Sequence, residues 1–239
     1  DMDPLLEIAE RHGLIVIEDA AEMHGQTYRG QPCGSFGLMS TFSFYPNKHI
    51  TCGEGGMVVT DDDDVAEHCR RLRNLCFQPG RRFMHEELGW NYRMTNMQAA
   101  IGLAQLERLD AHVQRKRAMG TAYQTALSDT ANIQLPLATT DYAENIYWVF
   151  GIVLGTNIDQ DAAGIMQQLA NQAIGTRPFF WPIHEQPVFL NQNLFTNESY
   201  PVAETLARRG FYLPSGLGLS TDDLSEVATA LRGCLPATR

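Results

Sequence analysis

This 239-residue chain is poor in basic residues, in paired cysteines and in long apolar runs. Each shortage removes a class of function. Eighteen Lys and Arg stand against 28 Asp and Glu, a formal net charge of −10, which argues against a nucleic-acid backbone as the main partner. Five cysteines (Cys33, Cys52, Cys69, Cys76, Cys234) are odd in number, irregularly spaced and never C-x2-C, so neither a disulfide scaffold nor a structural zinc site is indicated. A reducing cytosol fits that usage. No apolar run approaches the roughly 20 residues of a membrane span, and no signal peptide is recognised at the start. No G-x-G-x-x-G follows the first apolar run, which argues against a dinucleotide-binding domain. Repeats and low-complexity segments are also missing.

What is present reads as an α/β protein. Asp3 as cap and Pro4 at the first helical position open a helix that Gly13 closes. Leu14 to Ile17 read as a fully buried strand, flanked as in a parallel or mixed sheet covered by helices. Residues 39–45 and 57–60 are further strand candidates. The four carboxylates Asp61 to Asp64 favour a helix N-terminus, because consecutive residues cannot all face one ion. Residues 75–87, with Pro79 and Gly80, lack periodicity and read as a loop. Thr95 and Gln98 have capping-box spacing ahead of a long helix that continues, with a bend, past Lys116 to Leu127. After the polar 139–145 stretch a smaller unit follows: a strand at 148–154, a helix at 161–173, a helix at 201–209 stopped by Gly210, a short strand at 211–213 and a last helix from Ser220 to Arg232. The expected division is 1–127 and 128–239. The chain begins with Asp1 beside a helix, which suggests that preceding strands are missing.

One stretch carries chemistry. Ser40 to Val58 (STFSFYPNKHITCGEGGMV) crosses from a strand into a glycine-bearing turn that holds Lys48. Asp19 stands just past the LIVI strand, where ligands bind in open α/β sheets. An amine, a carboxylate beyond a strand and a hydroxyl at Ser43 are the parts that a pyridoxal 5'-phosphate (PLP) enzyme needs. Lys48 would condense with the cofactor's aldehyde, Asp19 would hold the pyridinium proton, and Ser43 would help hold the phosphate. Glu22 could reach the phenolic oxygen or ring face. Asn91 and Arg93, on a loop before the Thr95 cap, suit an anion. The bland alternatives are a solvated loop lysine, capping carboxylates and a strand serine bonded to backbone. His24 reads as a packing or hydrogen-bonded histidine outside the catalytic set.

The runs VIEDAAEMHG (16–25), FSFYPNKHITCGEGGMVVTDD (42–62), GWNYRMTNMQAAIGLAQLERLD (89–110), IGTRPFFWPIHEQP (174–187) and FYLPSGLGLS (211–220) resemble the DegT/DnrJ/EryC1/StrS sugar-nucleotide aminotransferases. The resemblance implies a fold type I PLP-dependent aminotransferase: a mixed sheet covered by helices, a smaller C-terminal α/β domain, and an N-terminal part of the large domain that this chain lacks. It places Asp19 on the pyridine-binding aspartate, Lys48 on the cofactor lysine and Ser43 on the phosphate serine. Asn91 and Arg93 fall in the segment that reaches the phosphate in a neighbouring subunit, which implies a homodimer with shared sites. Arg177 and His184 fall in the C-terminal motif, where they contact sugar nucleotide or order the pocket. Many members have glutamine where this chain has Glu22, and perosamine-forming members can carry glutamate. The implied reaction moves an amino group from L-glutamate to a nucleotide-linked 4-keto-6-deoxy sugar, with GDP-4-keto-6-deoxymannose giving GDP-perosamine. Alternatives are a PLP-dependent sugar-nucleotide dehydratase, disfavoured by Lys48 where such enzymes carry histidine, and an inactive truncated paralogue with a structural role.

Overall fold

A computed structural model describes residues 1–78, 80–81 and 83–236. Pro79, expected in a loop, lies outside the described residues. The chain divides into two compact units, Asp1–Gln114 with Thr139–Trp148, and Arg115–Ala138 with Val149–Arg239. The division falls inside a helix, and residues 139–148 return to the first unit, so one cut at 127/128 does not describe the units. A helix interior is a legible sequence pattern, but which unit its faces join depends on contacts remote in sequence.

In the first unit, α1 (Met2–Arg11) is followed by β1 (Ile17–Asp19), the small antiparallel hairpin β2 (Thr27–Tyr28) and β3 (Gln31–Pro32), then β4 (Met39–Ser43) and β5 (Gly56–Val59). The main sheet is mixed. β1 runs parallel to β4 with Asp19 opposite Thr41, and β4 runs antiparallel to β5 with Ser43 opposite Gly56. Two expectations need correction. The cap of α1 is Asp1, without a side-chain cap bond, while Asp3 pairs with Arg29 at 3.0 Å. The LIVI run is not a buried strand: pairing begins only at Ile17, and Leu14, Ile15 and Ile17 are 60–72% exposed because β1 is an edge of a three-stranded sheet. The long helix expected to bend runs as two, α3 (Asn96–Leu106) and α4 (Leu109–Leu127), and α3 buries none of its residues. The Asp61–Asp64 reading holds: Asp62 caps α2 (Asp63–Leu72) by accepting from the Val65 amide at 2.9 Å.

The second unit is an antiparallel sheet in the order β6 (Ile133–Gln134), β7 (Phe150–Leu154), β9 (Gly210–Leu213), β8 (Arg177–Pro178). Helix α5 (Ala162–Ala170) packs on β8, β9, α7 (Pro201–Arg209) and α8 (Thr221–Cys234), while α6 (Pro187–Leu190) lies beside the 3-10 turn Ile183–Glu185. Strict alternation on β7 puts Phe150, Ile152 and Leu154 inward, where they join Phe211, Leu213, Ile165, Leu169 and Leu231 in a closed core. Gly210 both ends α7 and opens β9, and a Cβ there would collide with the Phe179 ring.

Candidate functional site

Asp19 is the last residue of β1 and Ser43 the last of β4, so two parallel, hydrogen-bonded strands deliver a carboxylate and a hydroxyl to one C-terminal sheet edge. That edge is where open α/β sheets bind ligands. Asp19 is exposed, and its Oδ1 accepts from the Ala21 amide at 3.1 Å. Ser43 Oγ accepts from the Tyr45 amide at 3.3 Å, leaving its own proton to donate. Beyond β4 the chain turns back into β5, the Phe44 amide donating to the Gly55 carbonyl at 2.9 Å. Gly55 sits at φ +150, and a Cβ there would meet Cys52 Sγ at 2.9 Å, so this turn requires glycine for its backbone.

Lys48 occupies that turn, its amide donating to the Tyr45 carbonyl at 3.0 Å. Its side chain is 9% exposed, and Nζ lies 2.8 Å from Glu22 Oε1. The indole of Trp148 lies 4.4 Å from the same Nζ. His49 is buried and its Nε2 is 3.0 Å from the Ile146 carbonyl. His24 is buried against the rings of Phe42 and Phe44, and neither ring nitrogen has a hydrogen-bond partner among the described residues. Burial first, then the charges of His49 and Lys48, push its imidazole down to about 4. His24 is therefore neutral beside the lysine at neutral pH.

Asn91 and Arg93 stand on an exposed stretch anchored at its start. Leu75 (φ 58) and Cys76 (φ 49) are successive left-handed residues, held by bonds from the Leu75 amide to the Trp90 carbonyl and from the Cys76 amide to the Arg71 carbonyl. Asn91 bridges Asn74, and Arg93 Nη1 donates to Asn74 Oδ1 at 2.6 Å. A cavity of about 560 Å³ opens there, lined by Asn74, Phe77, Gln78, Gly80 and Arg93. None of Lys48, Asp19, Glu22 or Ser43 lines it, so this cavity is a separate feature of the first unit.

Arg177 and His184 lie in the second unit. Arg177 is exposed on β8. His184 is buried, and its Nε2 is 3.1 Å from Glu204 Oε1. Glu204 also accepts from the Tyr200 amide at 2.7 Å, which with the His184 bond lowers its carboxyl below the usual range. His184, Glu185 and Glu204 offer ligand atoms within 4.8 Å of one another. Arg208 already holds Glu185 at 2.8 Å, so the trio is an ion-pair network tying the 3-10 turn to α7.

A family profile described as the DegT/DnrJ/EryC1/StrS aminotransferase family matches residues 1–232. The chain belongs to that family. It is 41% identical over 231 residues to the GDP-perosamine synthase of Caulobacter vibrioides, covering 97% of this chain and 62% of the relative. It is 37% identical over 235 residues to the GDP-perosamine synthase of Vibrio cholerae, with the same two coverages. The solved structure of S. venezuelae DesV in complex with a ketimine intermediate superposes with a TM-score of 0.86 at 34% identity, covering 98% of this chain and 61% of that one. The chain thus spans about three-fifths of the length of these relatives.

Membership fixes the group whose fit must be tested. PLP presents a ring nitrogen, an aldehyde and a phosphate, and the site offers a matching part for each. Asp19 is exposed at the sheet edge, Ser43 has a proton to give, and Lys48 is a buried amine already oriented by Glu22. The residues fit. Trp148 is the member that sequence reading passed over, since it sits where a strand was expected to begin. Its only local signal was a large aromatic at the end of a polar stretch.

Proposed function

We propose that this chain carries the lysine-bearing part of a PLP-dependent sugar-nucleotide aminotransferase site. The observation that carries the reading is the delivery of Asp19 and Ser43 to one edge by parallel strands, with the Lys48 amine in the turn beyond, paired with Glu22 at 2.8 Å. PLP, when bound, supplies an electron sink for proton transfer at carbon next to nitrogen. Asp19 holds the proton on the ring nitrogen, since a carboxylate there favours the charged ring. Ser43 donates to the phosphate, and Asn91 and Arg93 serve the phosphate of a neighbouring copy. Lys48 would anchor the cofactor through its amine, and Nζ, once freed by the incoming amino group, would hold and move the proton at the substrate carbon next to nitrogen. Glu22, 2.8 Å from Nζ, orients that amine.

The substrates proposed are L-glutamate as donor and GDP-4-keto-6-deoxymannose as acceptor, giving GDP-perosamine. Support for the sugar comes from the similarity to two GDP-perosamine synthases. Arg177, an exposed guanidinium, is assigned to the nucleotide phosphates, and His184 to ordering the turn beside it. The setting proposed is the cytoplasm, in the making of an amino-sugar precursor for lipopolysaccharide O-antigen. A homodimer is proposed because the stretch carrying Asn91 and Arg93 also exposes Leu88, Tyr92 and Met97 by 73–87%.

The test adds PLP to the polypeptide and divides the sample: one portion is reduced with borohydride and its modified peptide mapped, and the other receives glutamate while absorbance near 420 nm is followed. The expected result is one reduced adduct on Lys48 and a glutamate-driven loss of the 420 nm band. Lys48→Ala should lose both. An adduct spread over surface lysines would remove the proposal.

A further inference from the structure

Lys48 is flanked in sequence by two residues that are both tied to one distant segment. Asn47 accepts through its carbonyl from Trp148 Nε1 at 3.0 Å, and His49 Nε2 is 3.0 Å from the Ile146 carbonyl. Ile146 is buried, as is Tyr147 between the two anchors, and Tyr147 takes a left-handed φ of 46 with its amide donating to Asn145 Oδ1 at 2.7 Å. The segment at 145–148 therefore grips the lysine turn on both sides of Lys48. From that grip the Trp148 ring reaches the lysine amine itself, 4.4 Å from Nζ, while Glu22 Oε1 lies 2.8 Å from the same atom.

We propose that Trp148 is a positioning residue for Lys48: its indole face holds the ammonium against Glu22, and its Nε1–H bond to Asn47 fixes the indole to the turn that carries the lysine. A lysine has four rotatable carbon bonds, and an amine that must meet one aldehyde gains from having them restricted before the reaction. The electron-rich face of tryptophan attracts a cation without removing its proton donors, so all three N–H bonds remain usable. A carboxylate alone would set one direction. The carboxylate and ring together leave the amine one place to sit. The importance of this for amino transfer rests on Lys48 being the reacting amine, as proposed above.

Reactivity of Lys48 in cofactor-free polypeptide tests the inference without relying on that reading. Tryptophan bearing one, two and three ring fluorines is placed at position 148 alone, which weakens the ring's attraction for cations while barely changing its size. The rate of reductive methylation of Lys48 by formaldehyde and a borane is followed by peptide mass spectrometry at constant pH. The expected result is a stepwise rise in rate along the series, reaching about twofold to tenfold. Trp148→Phe, which keeps an aromatic face, should stay closer to the parent than Trp148→Leu. A rate that is flat across the fluorinated series overturns the proposal, including the case where Trp148→Leu alone reacts faster through loss of bulk. Borohydride trapping of PLP on the same proteins reports separately whether Lys48 takes the cofactor.

Discussion

His24 occupies a buried position against Phe42 and Phe44 with neither nitrogen bonded among the described residues. Its imidazole falls from the ordinary 6.5 to about 4 on folding, so between those values the unfolded chain holds a proton that the folded chain does not. Stability therefore rises with pH through that window and is lost as pH falls from about 6.5 toward 4. Roughly 1–2 kcal/mol should disappear between pH 7 and pH 5, after allowance for solvent screening. Urea unfolding at the two pH values checks this against His24→Leu, which should flatten the acid limb. An unchanged pH slope in that variant would assign the acid sensitivity elsewhere. The sequence offered no cue for this behaviour, because a histidine's titration depends on what surrounds it.

The two capping boxes were readable in advance, but their energetic weight was not. Ser220 with Asp223, and Thr95 with Gln98, both form reciprocal capping boxes. Helix α8 buries Leu224, Val227, Ala228, Leu231 and Cys234, whereas α3 buries nothing. Fraying of α8 is thus coupled to the second unit's core, and fraying of α3 is not. Ser220→Ala should lower the stability of the single chain by about 1 kcal/mol, and Thr95→Ala by half of that or less. Thermal melts of the two variants side by side test the order. An equal loss from both would mean that burial does not amplify the cap.

The two compact units differ in how completely they enclose their apolar residues. Tyr123, Phe150, Phe211, Ile165, Leu169 and Leu231 are all essentially inaccessible in the second unit. In the first, Leu14 and Ile15 just before β1, Ile17 on β1, and Met57, Val58 and Val59 on β5 remain 42–72% exposed. Amide exchange should accordingly be slowest at Ile152 and Phe211 and much faster at Met57 and Val58, because opening free energy follows buried contact. Equal protection of β5 and β7 in the monomer would contradict this. Raising the protein concentration should slow exchange at 88–97 if a second copy covers that stretch, and a concentration-independent pattern there would remove the homodimer.

Much was legible from the chain alone. The lysine, the aspartate after an apolar run and the serine closing a strand are local statements of chemistry and position. The capping boxes, the Asp62 cap and the β7 alternation are local too, since backbone bonding within a few residues sets them. Tertiary structure alone decided the rest. Trp148 meets Lys48 from 100 positions away in sequence, and the two units divide inside α4, at Gln114 and Arg115, where no local signal marks a boundary. How much of the LIVI run pairs was not legible either: pairing begins only at Ile17, because strand extent depends on which partner a strand finds.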